Sequence, residues 1–172
     1  MSDVARDVAE RVVGSAKEIL GRFALKGLKE AGGEETRRFE AHLALDGKVV
    51  AGVSNGGTGG CNMYRWNLRE LEIRVNGLAD EWDRLIGGFG FEQLDALVEA
   101  LIERSESEKT KKRYAKRGMN AVALVHVGEK KEMFGTHEHW YGGKHYEVAA
   151  VTEEDLRKLL AEKYAGARVE VL

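Results

Sequence analysis

Three histidines and a carboxylate fall within eleven residues: His137, His139, His145 and Glu147. Imidazole and carboxylate are ligand types suited to zinc or another transition metal. Whether they share a face depends on register, because a strand turns successive side chains to opposite sides. Read as one hairpin from Phe134 to Val148 with glycines at its tip, the segment has two competing registers. A two-residue Gly142-Gly143 turn pairs Trp140 with His145 and splits the histidines between faces. A three-residue turn through Lys144 pairs Tyr141 with His145 and His139 with Glu147. Trp140, Tyr146 and Val148 then share one face, and the four polar residues share the other. This register separates apolar from polar better and is preferred. A solvent-facing polar sheet surface is the favoured reading of that face, since H-x-H is common and the spacing to His145 is no recognised ligand signature. His42 and His126 stand alone within strand patterns and read as packed or surface residues.

The second group with chemical capacity is a loop, Ser54-Asn55-Gly56-Gly57-Thr58-Gly59-Gly60-Cys61-Asn62, with four glycines in five positions. Ordering so many glycines costs backbone entropy, so a tight reversal, a close backbone approach or a ligand is expected there. Strand, glycine loop and helix in that order can cradle an anion on backbone N–H groups. No G-x-x-x-x-G-K-[ST] accompanies it, so the phosphate-gripping lysine of a P-loop is missing. The candidate ligand- or partner-binding residues are Ser54, Asn55, Gly57, Thr58, Gly59, Gly60, Asn62, Tyr64 and Trp66. The alternative is a purely conformational loop that reverses the chain.

Two further patterns carry less. Gly52-Val53-Ser54-Asn55-Gly56 matches G-x-S-x-G, but a nucleophile elbow needs a parallel sheet with an acid and a histidine behind it. Lys109, Lys111, Lys112, Arg113, Lys116 and Arg117 form a basic run that follows an acidic segment. With Tyr114 as its one aromatic, it reads as a solvated helix end complementing the dipole rather than a nucleic-acid surface.

The elements that must position these groups follow from periodicity. Ser2 can cap a helix whose stripe is Val4, Val8, Val12, Ala16 and Ile19, with Gly21 at its end. Residues 22–30 read as a strand without clean alternation. Phe39, Ala41, Leu43 and Leu45 alternate as in a half-buried strand, and Asp46-Gly47 is a strong hairpin signal, giving strands at about 36–45 and 48–54. Leu68, Leu71, Val75, Leu78, Trp82 and Leu85 recur at helical spacing, as do Leu94, Leu97, Val98, Leu101 and Ile102 over about 91–104. Strand chemistry returns at 121–127, 131–135 and 144–151. Thr152 then opens a short helix with Asp155 at the capping-box position, and Arg168 to Leu172 reads as a last edge strand. Strands, then helices, then strands with hairpin connections predict an α+β fold. The expectation is a mostly antiparallel sheet of about five or six strands, with the central helices on one face and an N-terminal helix. Without repeat or linker, residues 1–172 read as a single domain, with the helix of 1–20 peripheral.

The stretch from Glu34 to Tyr64 also carries a resemblance. Glu34, Glu35, Thr36, Phe39, Ala41, Leu43, Asp46, Gly47 and Lys48, followed by Ser54, Asn55, Gly57, Gly59, Gly60, Asn62 and Tyr64, resemble a family of small uncharacterised proteins of phages and bacterial mobile elements. Gly33, Arg38, Gly56 and Thr58 depart from that pattern, where serine, cysteine, aspartate and frequently histidine are expected. The resemblance implies a genetic neighbourhood rather than a mechanism: a factor acting against host defence or modulating the host.

Composition narrows the function classes. With 43% hydrophobic and 33% charged residues over 172 positions, the chain has the make-up of a soluble globular protein. One cysteine excludes an internal disulfide framework and fits a reducing cytoplasm. A net charge of −2 favours neither a nucleic-acid binder nor a nucleic-acid mimic, and no apolar run is long enough for a membrane span. Proline is absent, so glycine supplies the breaks. The expectation is a non-enzymatic binding protein without a resident cofactor, occupying a host protein or capturing a small signalling ligand. The alternatives are a metal-dependent hydrolase using the histidine hairpin, with zinc or a similar metal, and a nucleic-acid-binding accessory protein.

Overall fold

A computed structural model describes the backbone of residues 3–88, 90–134, 137–141 and 143–172, and the side chains of these apart from 3–11 and 132–141. The proposed cap Ser2 and the side chains of Val4 and Val8 lie outside the described residues. The fold is α+β with antiparallel sheets and an N-terminal helix. The chain divides into two compact units, Met1–Ser105 and Glu106–Leu172, where the sequence pattern, lacking a linker, reads as one domain. The strands are shared between sheets of four, three and two rather than gathered in one.

The N-terminal unit begins with α1 (Asp3–Gly21), followed by β1 (Phe23–Ala31), β2 (Arg38–Leu45), β3 (Lys48–Asn55) and β4 (Met63–Trp66), which form one sheet in that order. Phe39, Ala41, Leu43 and Leu45 are buried along β2, as period-2 alternation requires. Asp46 and Gly47 both take positive φ, 50° and 79°, so the hairpin turn is the one their sequence specifies. A register shift between Lys26 and Lys29, with Gly27 at φ 66°, explains why β1 shows no clean alternation: the bulge resets its phase.

α2 (Arg69–Ile86) and α3 (Gln93–Ala115) follow. Val75, Ala79 and Trp82 of α2 share one core with Leu97, Val98, Leu101 and Ile102 of α3, Leu43 and Val53 of the sheet, and Ala16 and Ile19 of α1. Residues 71–75 also alternate as a strand would, and the helical stripe overrides that pattern. α3 runs past the expected 104 to Ala115 and carries most of the basic run. From α3 the Arg104 guanidinium donates to the carbonyls of Leu20 (3.0 Å), in the last turn of α1, and Phe23 (2.5 Å), at the start of β1.

In the C-terminal unit, β5 (Ala121–Val127) is the centre of a three-stranded sheet. β8 (Lys144–Ala150) lies on one side and β9 (Arg168–Val171) on the other. Ala121, Ala123, Val125 and Val148 pack with Leu156 of α4 (Glu153–Lys163). Thr152 caps α4: its hydroxyl accepts from the Asp155 N–H at 3.1 Å and donates to the Asp155 carboxylate at 2.7 Å. Among the described residues, β6 (Lys130–Phe134) and β7 (His137–Tyr141) pair only with each other.

This pairing corrects the expected hairpin. β7 lies against β6, with His139 opposite Glu132 and His137 opposite Phe134, whereas β8 lies against β5. The physical reason is burial. β8 brings Val148, facing Ala123, into the apolar row of β5, a gain that a histidine-rich β7 cannot offer.

Candidate functional site

The glycine loop connects β3 to β4 in an antiparallel pair, with Ser54 opposite Met63 and Val53 opposite Tyr64. A strand, not a helix, follows it, so the loop has no helix N-terminus with which to cradle an anion. Its polar groups close on the protein itself. The Gly57 carbonyl accepts from the N–H groups of Glu34 (2.7 Å) and Glu35 (3.1 Å), in the segment between β1 and β2. The Asn55 side-chain oxygen accepts from the Gly57 N–H and the Thr36 hydroxyl, both at 2.9 Å. Its amide donates to the Gly60 carbonyl (3.2 Å) and the Asn62 side-chain oxygen (3.1 Å). The Gly59 N–H reaches the Thr36 hydroxyl at 3.3 Å.

Two of the glycines are required by close approach. A Cβ on Gly57, which has φ 81°, would lie 2.8 Å from the Gly33 Cα and 2.8 Å from the Arg38 Cβ. A Cβ on Gly33 would lie 1.8 Å from the Thr36 carbonyl oxygen. The two loops interlock backbone to backbone, which only glycine permits. Glu34, Glu35, Thr36, Asn55, Gly57, Gly59 and Gly60, all motif residues, thus form a structural clasp.

Asp95, in the first turn of α3, completes it. One carboxylate oxygen accepts from the Asn62 N–H at 2.7 Å and the other from the Tyr64 hydroxyl at 2.6 Å. Burial, reinforced by that bond, pushes the Tyr64 hydroxyl far above its usual range, so it stays a protonated donor. Trp66 stacks on Tyr64 with centroids 5.7 Å apart. Sequence reasoning missed Asp95, because an acidic residue in a first helical turn is ordinary. Thr58 is exposed, and Ser54 sits within β3 opposite Glu40 and Met63, so these two do not join the network. Cys61 donates to Glu92 at 3.0 Å, and that carboxylate holds its thiol above the ordinary range, away from the reactive thiolate.

Of the expected metal set His137, His139, His145 and Glu147, the described side chains are those of His145 and Glu147. Glu147 pairs with Arg113 and accepts from the Tyr114 hydroxyl at 3.1 Å, which ties it to the end of α3. The side chains of His137 and His139 lie outside the described residues. His145 instead meets a different group. The registers put His126 of β5 directly opposite His145 of β8 on one side and opposite Arg168 of β9 on the other. A row His145–His126–Arg168 therefore crosses the three strands, and Glu129 reaches it from the short β5–β6 connection. Gly128 there takes φ 76°. Gly143 packs so closely on this connection that a Cβ would lie 2.8 Å from the Glu129 nitrogen.

The row is tightly bonded. Arg168 grips Glu129 with two parallel bonds, Nε to Oε2 at 2.7 Å and Nη2 to Oε1 at 2.9 Å. His126 Nδ1 lies 2.9 Å from Glu129 Oε1 and 2.9 Å from Arg168 Nη2. His145 Nε2 lies 3.3 Å from the same Glu129 oxygen. Glu129 and His126 are only 5% and 7% exposed, whereas Arg168 is 36% and His145 60% exposed. The Arg168 hydrogen bonds outweigh burial and pull the Glu129 carboxyl down to about 2. His126 Nε2 is buried with no hydrogen-bond partner among the described residues. Beside the row opens a cavity of about 450 Å³, whose walls include Tyr146, Lys163, Tyr164, Gly166 and Arg168.

Compared with protein-family models, with curated proteins and with solved structures, the chain matches none.

Proposed function

We propose that this chain is a non-enzymatic binding protein that captures a small ligand at the charged row of its C-terminal unit. One observation carries the reading: a carboxylate and an imidazole, both with side chains more than nine-tenths buried, are held beside a cavity, and one ring nitrogen has no partner among the described residues. Burying charge costs several kcal/mol per ion before pairing, and apolar replacements of such groups are often as stable or more so. The core described in this unit centres on Ala121, Ala123, Val125, Val148 and Leu156, and an ion cluster buried beside it carries a desolvation cost that a ligand would offset. The glycine loop, with its donors turned inward, serves as scaffold in this reading. The resemblance to phage and mobile-element proteins supplies the setting, in which capture of a small signalling ligand acts on a host response.

Native mass spectrometry of freshly purified protein, set against its denatured mass, tests the proposal. The expected result is a non-covalent excess mass in the wild type that Glu129→Gln loses. A bare wild-type mass, or an excess that Glu129→Gln retains in full, would sink it.

A further inference from the structure

We infer that the captured ligand is a divalent transition metal of the zinc class, held by His126 Nδ1, Glu129 Oε1 and His145 Nε2. This rests on the binding reading above and gives it a ligand. Two imidazoles and a carboxylate are a donor set such metals accept, with a further position left for water or a second ligand. Metal–ligand bonds of about 2.0–2.2 Å at tetrahedral angles put neighbouring donors roughly 3.3 Å apart. The separations from Glu129 Oε1 are 2.9 Å to His126 Nδ1 and 3.3 Å to His145 Nε2, and the three ligand atoms lie within 4.8 Å of one another. The donors thus stand near coordinating distance without a large movement of any strand.

Arg168 decides how the metal enters. Its Nη2 is a donor only and stands 2.9 Å from His126 Nδ1, which is also 2.9 Å from the acceptor Glu129 Oε1, so the two contacts ask opposite tautomers of the ring. A metal on Nδ1 needs the Nε2–H tautomer, the one that the Arg168 contact favours. The guanidinium occupies the cation's place between Nδ1 and Oε1, so a metal must displace Nη2. Arg168 is partly exposed and can swing outward while its Nε keeps Glu129 Oε2. In that position it becomes an outer partner orienting the carboxylate. His145, the most exposed member, is where the metal arrives from solvent.

Zinc titration of the chelator-treated full chain by calorimetry tests this, on wild type, His145→Ala and Arg168→Met. One zinc per chain is expected, with His145→Ala weaker by at least about tenfold. Arg168→Met is expected to bind more tightly, because the competing cation is gone. The surface position of His145 keeps its variant folded, which circular dichroism would verify. Zinc bound equally by wild type and His145→Ala would overturn the site and move the ligands elsewhere, as would absence of zinc binding in both wild type and Arg168→Met. In that last case, an organic excess mass lost in Glu129→Gln would leave capture standing without the metal. A bare mass would remove both.

Discussion

Asn55 and Glu129 show at the residue scale how the same chemistry serves two ends. Asn55 is 9% exposed, and both ends of its amide have partners within the clasp, so nothing of it remains for a ligand. The Glu129 side chain is 5% exposed but shares its oxygens with groups that are themselves partly open to solvent. Its lowered carboxyl makes a directional prediction. A carboxylate whose folded value lies below its ordinary 4.5 contributes stability that is present above that value and is lost as pH falls toward about 2. Urea midpoints of the wild type should therefore drop between pH 4.5 and 2, and Glu129→Gln should flatten that limb. An equally steep limb in the variant would show that other carboxylates carry the acid response. Among the candidate residues, the sequence could point to His145 by its type. It could not point to His126, because an isolated histidine in a strand announces nothing until its cross-strand neighbours are known.

At the scale of elements, the clasp separates two demands that sequence merges. Gly57 and Gly60 both take positive φ, 81° and 87°, but only at Gly57 would an added Cβ meet backbone, the Gly33 Cα at 2.8 Å; at Gly60 it would meet open space. Gly60→Ala should therefore cost about 1–2 kcal/mol, the price of the left-handed backbone for an L-residue. Gly57→Ala adds overpacking, and its total should exceed about 3 kcal/mol. Chemical denaturation of the two variants checks the contrast, and equal losses would refute the close approach as the reason for Gly57. Much at this scale was legible. The stripes of α2 and α3, the Asp46-Gly47 turn and the Thr152 cap follow from local spacing, and local spacing is what a sequence displays. The short β4 was not legible, since four residues after a glycine loop carry no usable period. The partner of β7 was not legible either, since two equally alternating strands flank it.

At the scale of the whole molecule, the described residues form two apolar cores, one in each compact unit, and this bears on how the protein opens. Leu156 is 2% exposed at the centre of the smaller core. Leu156→Ala should cost about 2–5 kcal/mol through the cavity it leaves. Native-state hydrogen exchange would locate the loss: amides of β5 and β8 should lose protection while those of β2 and β3 keep theirs. A uniform fall across both units would mean that they open as one. The sequence by itself determined the fold class, the helical faces, the turn chemistry and the need for glycine at the β3–β4 loop, because each depends on residues adjacent in the chain. Only the tertiary structure decided that the loop is a clasp closed by Asp95. It also decided that His126, Glu129, His145 and Arg168 meet. Those outcomes depend on which strands pair, and pairing follows the burial of Val125 and Val148 across long separations rather than any local signal.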